Sequence, residues 1–231
     1  EDIEAFREEM GLNDPFIVRY VNYMLGLCQG DLGTSYKTRD PVGEEVWARL
    51  PNTAMLALTS TVVAILLALP LGIIAAIKQN TLFDGISMFI SLLGISMPVF
   101  WMGLLLILFF SVKLGWFPVS GADQGIKSLV LPSIALGFMH MASIARTTRS
   151  SMLETIRQDY IRTVRAKGLP EKEVITRHAL RNALIPTTTV IGLQIGGMLG
   201  GSVLTESVFA WPGIGRYMIQ SIQGRDIPSV M

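Results

Sequence analysis

The chain has 231 residues, 50% of them hydrophobic and only 16% charged, with a formal net charge of +1. Soluble domains carry about 25% charged residues, and a balance this near neutral excludes nucleic-acid binding by bulk electrostatics. The single Cys28 excludes an internal disulfide, and two histidines cannot build a metal site unaided.

Residues 1–50, with ten acidic and five basic side chains, read as a polar, partly helical segment. AFREEMGLNDPFIVRYVNYMLGL (5–27) alternates apolar and charged positions at helical spacing, and Asn13-Asp14-Pro15 restarts the pattern. A turn-rich stretch, QGDLGTSYKTRDPVG, follows. Beyond it, no Asp, Glu, Lys or Arg occurs between Arg49 and Lys78, between Asp84 and Lys113, or between Arg181 and Glu206. Crossing ~30 Å of hydrocarbon takes about 20 such residues in a helix, so each window holds a span. A shorter window, Lys127 to Arg146, holds another and contains Pro132, Gly137 and His140. The expected spans are 52–77, 86–112 (broken by Gly94, Ser96 and Pro98), 128–147 and 186–205. Trp116 and Phe117 suit a membrane interface. After the last span, Trp211–Gly213 reads as a tight turn leading to a short amphipathic helix through Ile222.

Basic density orients these spans. Segments 78–84 and 146–181 carry ten Lys/Arg in 43 residues, against nine in 91 residues on the opposite side. The denser side faces the cytoplasm, which puts 146–185 inside and both ends of the chain outside. An external start without a leader segment leads to the expectation that the chain is an internal fragment lacking an upstream span.

The cytoplasmic island RTVRAKGLPEKEVITRHALRNALIP (162–186) concentrates six of the 19 basic residues. Before it, Leu153, Ile156, Tyr160 and Val164 fall on one stripe of an expected helix over 153–167. Gly168 fits the left-handed position that ends a helix, and Pro170 the first turn of the next. Glu171 and Glu173 then complement that helix's dipole. Three readings fit: two amphipathic helices lying on anionic lipid, a DNA-binding helix-turn-helix, or a rigid elbow docking on a cytoplasmic partner. Both ends of the island enter the membrane within a few residues, which counts against tracking a DNA groove. The elbow also fits a chain that shows no clustered acid, base or metal set for an enzyme. Nor do the spans carry paired charges for an ion-coupled secondary transporter.

The island resembles the cytoplasmic coupling loop, or EAA loop, of permease subunits in binding-protein-dependent ABC importers. That pattern runs Glu-Ala-Ala, three residues, Gly, nine residues, Ile, one residue, Leu-Pro. Anchored on Gly168, Leu180 matches while Arg162, His178 and Arg181 depart from it. The departures are similar to the dipeptide, oligopeptide and nickel permease branch. So are GDLGTS (30–35), RLPNT (49–53), LPS (131–133) and VFAWPGIGRYMIQSIQGRDIP (208–228). The resemblance implies an all-α polytopic membrane protein with a type I ABC importer permease fold, here with four of the usual six transmembrane helices. Its organisation would be an external segment 1–50 and a transmembrane domain 51–231, with coupling loop 148–185 and external segment 206–231. It also implies a bacterial or archaeal plasma membrane location and an import role without catalytic residues or a cofactor in this chain. ATP and Mg would be used by two cytoplasmic ATPase subunits. The other implied partners are a second homologous permease, an external solute-binding protein and the lipid bilayer, with no nucleic acid.

Carried over by position, Arg165, Ala166, Lys167, Gly168 and Leu169 form the docking corner, flanked by Glu171, His178 and Arg181. Leu169 is expected as an exposed apolar knob; for Arg165, Lys167 and Arg181 the alternative reading is membrane anchoring under the positive-inside rule. Ser96, Pro98 and Gln194 are the candidate walls of a polar pathway. The glycines of IGLQIGGMLGGS around Gln194 fit close helix packing or a pathway lining. Glu206 falls at the outer end of its span, where a solvated carboxylate needs no function, a gate role being the alternative. His140 either contacts metal, if the cargo is nickel, or hydrogen-bonds within the bundle.

Overall fold

The computed structural model describes residues 13 and 15–231. The expected helical pattern over residues 5–12 lies outside the described residues. Helices dominate, and the one β contact among the described residues is an isolated bridge between Thr34 and Pro41. The chain forms two compact units, Glu1–Leu50 with Tyr217–Met231, and Pro51–Arg216.

In the smaller unit, α1 (Phe16–Cys28) begins immediately after Pro15, whose fixed φ suits an entry into a helix. Asp226 is its buried centre, accepting hydrogen bonds from Ser35 Oγ at 2.5 Å, the Tyr36 N–H at 2.9 Å and Ser229 Oγ at 2.8 Å. Burial pushes the Asp226 carboxyl up, but those three donors and the Lys37 charge outweigh it and hold the group below the usual aspartate range. Arg49 lies over the Tyr217 ring at 4.4 Å.

The larger unit is the bundle. Its first helix, α2 (Val42–Ile77), starts ten residues before the expected span, since Glu44 and Glu45 favour a helical first turn. α3 (Leu82–Ser96) and α4 (Val99–Lys113) meet at a bend of 104°. Pro98 causes it: the residue before a proline is driven to extended backbone, and Met97 has φ −86°, ψ 124°. Asp84 at the start of α3 pairs with Arg149, and Gly103 in α4 lies against Phe209 after the last span. Three helices are long and apolar enough to cross a membrane, α2, α5 (Ile126–Ile156) and α7 (Glu171–Gly200), and the bent pair makes a fourth span where it is counted as one crossing.

α5 is the hub: two-thirds of its apolar window is buried, against 39% for α2 and 17% for α7. It supplies Leu131, Leu136, Met141 and Ile144 to the main apolar cluster, which also takes Leu56 and Ala64 from α2, Val99 from α4 and Met198 from α7. Within lipid, apolar burial alone gives little preference for helix over hydrocarbon, so packing of small residues drives association. A Cβ on Gly137 would stand 2.7 Å from Ser60 O, and one on Gly72 2.6 Å from Ala145 O. Backbones of α2 and α5 thus touch where glycine permits.

The helix expected over 153–167 is two helices. α5 ends at Ile156, Gln158 turns extended, and α6 (Asp159–Ala166) begins with Asp159 in its first turn. A second apolar cluster joins Ala76 of α2, Met152 of α5, Ile161 of α6, and Val174, Ile175, Ala179 and Ala183 of α7. Leu153, Ile156 and Val164 pack on it as their stripe foretold. Tyr160 instead stays exposed and accepts a hydrogen bond from Asn182 at 2.7 Å. After α7 come α8 (Val203–Val208), α9 (Ile214–Gln223) and α10 (Ile227–Val230).

Candidate functional site: an exposed elbow and a buried carboxylate knot

The elbow forms where the sequence placed it. α6 ends at Ala166, Gly168 takes φ +78°, and α7 restarts after Pro170. Nothing lies within 4 Å of a Cβ built on Gly168, so its backbone conformation, rather than crowding inside the chain, requires glycine. Ala166, Lys167, Gly168, Pro170, Glu171 and Lys172 are all exposed. Together they form a small convex corner with its backbone open to a partner.

Three of the expected docking residues are used by the chain itself. Arg165 grips Glu171 across the corner through two bonds, Nε to Oε2 at 3.0 Å and Nη2 to Oε1 at 2.6 Å. This fork geometry ties the end of α6 to the start of α7. The Glu171 hydrogen bond holds the Arg165 guanidinium above its ordinary value. Leu169 is half-buried against the second apolar cluster, not an exposed knob. That cluster draws it inward because the corner between Ala166 and Glu171 is only four residues long. Lys167 and Arg181 are exposed with no ion pair among the described residues, and His178 is half-buried within a π-helical stretch, Val174–Ala179.

At the other end of the bundle, Glu206 is wholly buried, which corrects the expectation of a solvated carboxylate. Its Oε1 accepts from Thr53 Oγ1 at 2.8 Å and Ser202 Oγ at 2.9 Å, and its Oε2 from the Arg216 N–H at 3.0 Å. Thr53 Oγ1 in turn accepts the Ile214 N–H at 2.9 Å. Asn52 and Trp211 bond each other's neighbourhood: Asn52 Nδ2 donates to Pro212 O and Trp211 Nε1 to Asn52 O. The Trp-Pro-Gly turn closes so tightly that a Cβ on Gly213 would meet the Glu206 carboxylate at 2.4 Å. The RLPNT and VFAWPGIGR segments, some 160 residues apart, are therefore one polar knot. Sequence reasoning singled out both segments without joining them.

The pathway candidates separate. Ser96 and Pro98 are exposed on either side of the 104° bend. Gln194 sits on α7, its Oε1 2.5 Å from His140 Nδ1 on α5. No hydrogen bond joins it to Ser96. Sequence reasoning also missed the Asp84–Arg149 pair, bidentate at 2.8 and 2.7 Å, which fastens the start of α3 to α5 near the elbow. The only sequence signal was that Asp84 borders one charge-free window and Arg149 lies three residues past Arg146, which borders another.

Several apolar helices packed around a central one, with an exposed elbow between two of them, define a multi-pass membrane protein. Residues 68–231 match the family of binding-protein-dependent transport system inner membrane components, and the chain belongs to that family. It is 47% identical over 255 aligned positions to the dipeptide transport system permease protein DppB of Alkalihalophilus pseudofirmus, covering 99% of this chain and 77% of that protein. Identity to the oligopeptide transport system permease protein AppB of Bacillus subtilis is 43%, covering 100% and 76%. Identity to the glutathione transport system permease protein GsiC of Escherichia coli K12 is 44%, covering 99% and 74%. The fold is shared with an amino acid ABC transporter chain (TM-score 0.61, 16% identity, 80% of this chain and 82% of that one). It is shared too with the MetNI methionine ABC transporter (TM-score 0.61, 18% identity, covering 76% and 79%). The chain is thus an inner-membrane permease subunit of an ABC importer, not an enzyme, and membership implies ATPase and solute-binding partners.

Proposed function

We propose that this permease imports di- or oligopeptides, with its external solute-binding protein delivering the peptide and two cytoplasmic ATPase subunits driving the cycle. The peptide class follows from the names of the relatives above, one of which takes glutathione, itself a small peptide. A second homologous permease completes the pathway. Residues 146–185 face the cytoplasm, and 1–50 and 206–231 face outward. This chain needs no resident cofactor; ATP and Mg act on the ATPase partners.

The observation that carries the coupling role is the elbow itself. Its outer edge, Ala166 to Gly168 with Pro170 to Lys172, is exposed, while its inner side is cemented by Ile161, Leu169, Val174 and Ile175 to the ends of α2 and α5. A displacement applied at Gly168 therefore moves three spans together rather than bending a loop, the requirement for alternating access.

Gly168→Val tests it. A β-branched residue at φ +78° is strained by roughly 1–3 kcal/mol, so the corner changes shape. Co-purification with the ATPase subunits and peptide uptake should both fall at least tenfold, whereas Gly168→Asn, which tolerates positive φ, retains most of both. Undiminished assembly and uptake in Gly168→Val would sink the coupling role. Uptake of nickel but not of labelled dipeptide by the wild-type transporter would sink the peptide assignment.

A further inference from the structure

Gln194 lies midway between Arg181 and Glu206, the charges that bound its apolar window. His140 is the one titratable side chain inside the charge-free windows. The two meet at 2.5 Å, joining the hub helix α5 to the least buried span α7. Polar groups at membrane depth are costly and persist where they serve a pathway or a partner.

The bond uses only half of what the pair offers. In the neutral imidazole, Nδ1–H donates to Gln194 Oε1, which leaves His140 Nε2 as a free acceptor and the Gln194 amide with two N–H donors. Neither has another hydrogen-bond partner among the described residues, and both side chains are only half-buried. Gly197, one turn along α7 from Gln194, keeps the shared face small: a Cβ there would just reach the His140 ring at 3.9 Å. No group of three or more His, Cys, Asp or Glu forms among the described residues, so the pair lacks the ligands for a metal station.

A donor and an acceptor held side by side complement the C=O and N–H of a main-chain amide, the feature every peptide shares whatever its side chains. We infer that His140 and Gln194 form a station at the middle of the membrane that hydrogen-bonds the backbone of the passing peptide. The inference rests on the peptide assignment above and deepens it. A station that reads only backbone lets one permease pass many sequences, with selection left to the delivering protein.

The test uses the complete transporter in proteoliposomes, with saturating solute-binding protein and tri-alanine as cargo. His140→Phe and Gln194→Leu keep side-chain volume and remove the hydrogen-bonding atoms. Each should lower the maximal uptake rate about tenfold, the factor that one lost hydrogen bond supplies, with the double variant little worse than either single one. Co-purification with the other subunits should be unchanged. Normal uptake by both variants would overturn the station while leaving the peptide assignment intact. Loss of co-purification with the second permease would also overturn it, marking the pair as a subunit contact. Absence of tri-alanine uptake in the wild type would instead remove the peptide assignment beneath it.

Discussion

The knot around Glu206 and the elbow around Gly168 are both polar, both signposted by glycine and proline, and built in opposite senses. In the knot, every donor turns inward. Thr53, Ser202 and the Arg216 N–H converge on one fully buried carboxylate, and a turn closes over it. In the elbow, the apolar side chains turn inward and the backbone and charges stay outside. A polar motif is available to a partner only where the chain does not consume it. The knot is a fastening; the elbow leaves its backbone and charges exposed, with one internal brace.

Removing the Glu206 carboxylate strains that contrast most. Glu206→Leu leaves two hydroxyls and a backbone N–H buried without an acceptor, at a cost of about 3–5 kcal/mol. Glu206→Gln keeps one acceptor oxygen and should lose about 1–3 kcal/mol. Unfolding of the detergent-solubilised chain measures both, and equal stability of Glu206→Leu and wild type would break the comparison. Asp84→Ala comes next. It strands Arg149, whose side chain is 26% exposed, and frees the Asn80 N–H that bonds Asp84 at 3.0 Å. The expected loss is about 2–3 kcal/mol, recovered in part by Arg149→Leu on the same background, because the pair is a single unit.

Asp226 sharpens the comparison through pH. Its carboxyl is held below the ordinary aspartate value, so the folded chain binds fewer protons in acid than the unfolded chain. Stability from this group is fully present above the unfolded value of ~3.9 and is lost as pH falls through the lower folded value. Asp226→Asn should cost about 1–1.5 kcal/mol at pH 7, a gap that closes as pH drops below about 4. Thermal midpoints of variant and wild type between pH 3 and 6 measure it; a gap constant across that range would contradict the fastening.

Charge-free windows revealed the long apolar helices because lipid enforces them, and Gly168 with Pro170 revealed the elbow because backbone geometry demands those residues. The break at Pro98 was legible, but not its 104° size, which no local sequence pattern records. The knot was illegible for a different reason. Thr53 and Glu206 lie 153 positions apart, and no local period records that one hydroxyl serves two distant segments. Leu169 misled because an apolar residue beside an exposed glycine is read as exposed, whereas Ile161 and Val174 were already buried there to receive it.

The Arg165–Glu171 brace carries the smallest effect on stability and tests the contrast most directly. Its side chains are 37% and 56% exposed, so water screens the pair and a double-mutant cycle should give no more than about 0.5–1 kcal/mol. If the elbow is a contact surface, that modest energy still fixes the angle at which α6 meets α7. Arg165→Ala and Glu171→Ala should therefore melt within a degree or two of wild type, yet each should waste ATP, lowering peptide taken up per ATP hydrolysed severalfold. Arg165→Lys keeps the charge but not the two-pronged geometry and should fall between them and wild type. Were the coupling ratio untouched while stability fell by several kcal/mol, the elbow would be a second fastening like the knot, and the partner would have to bind elsewhere.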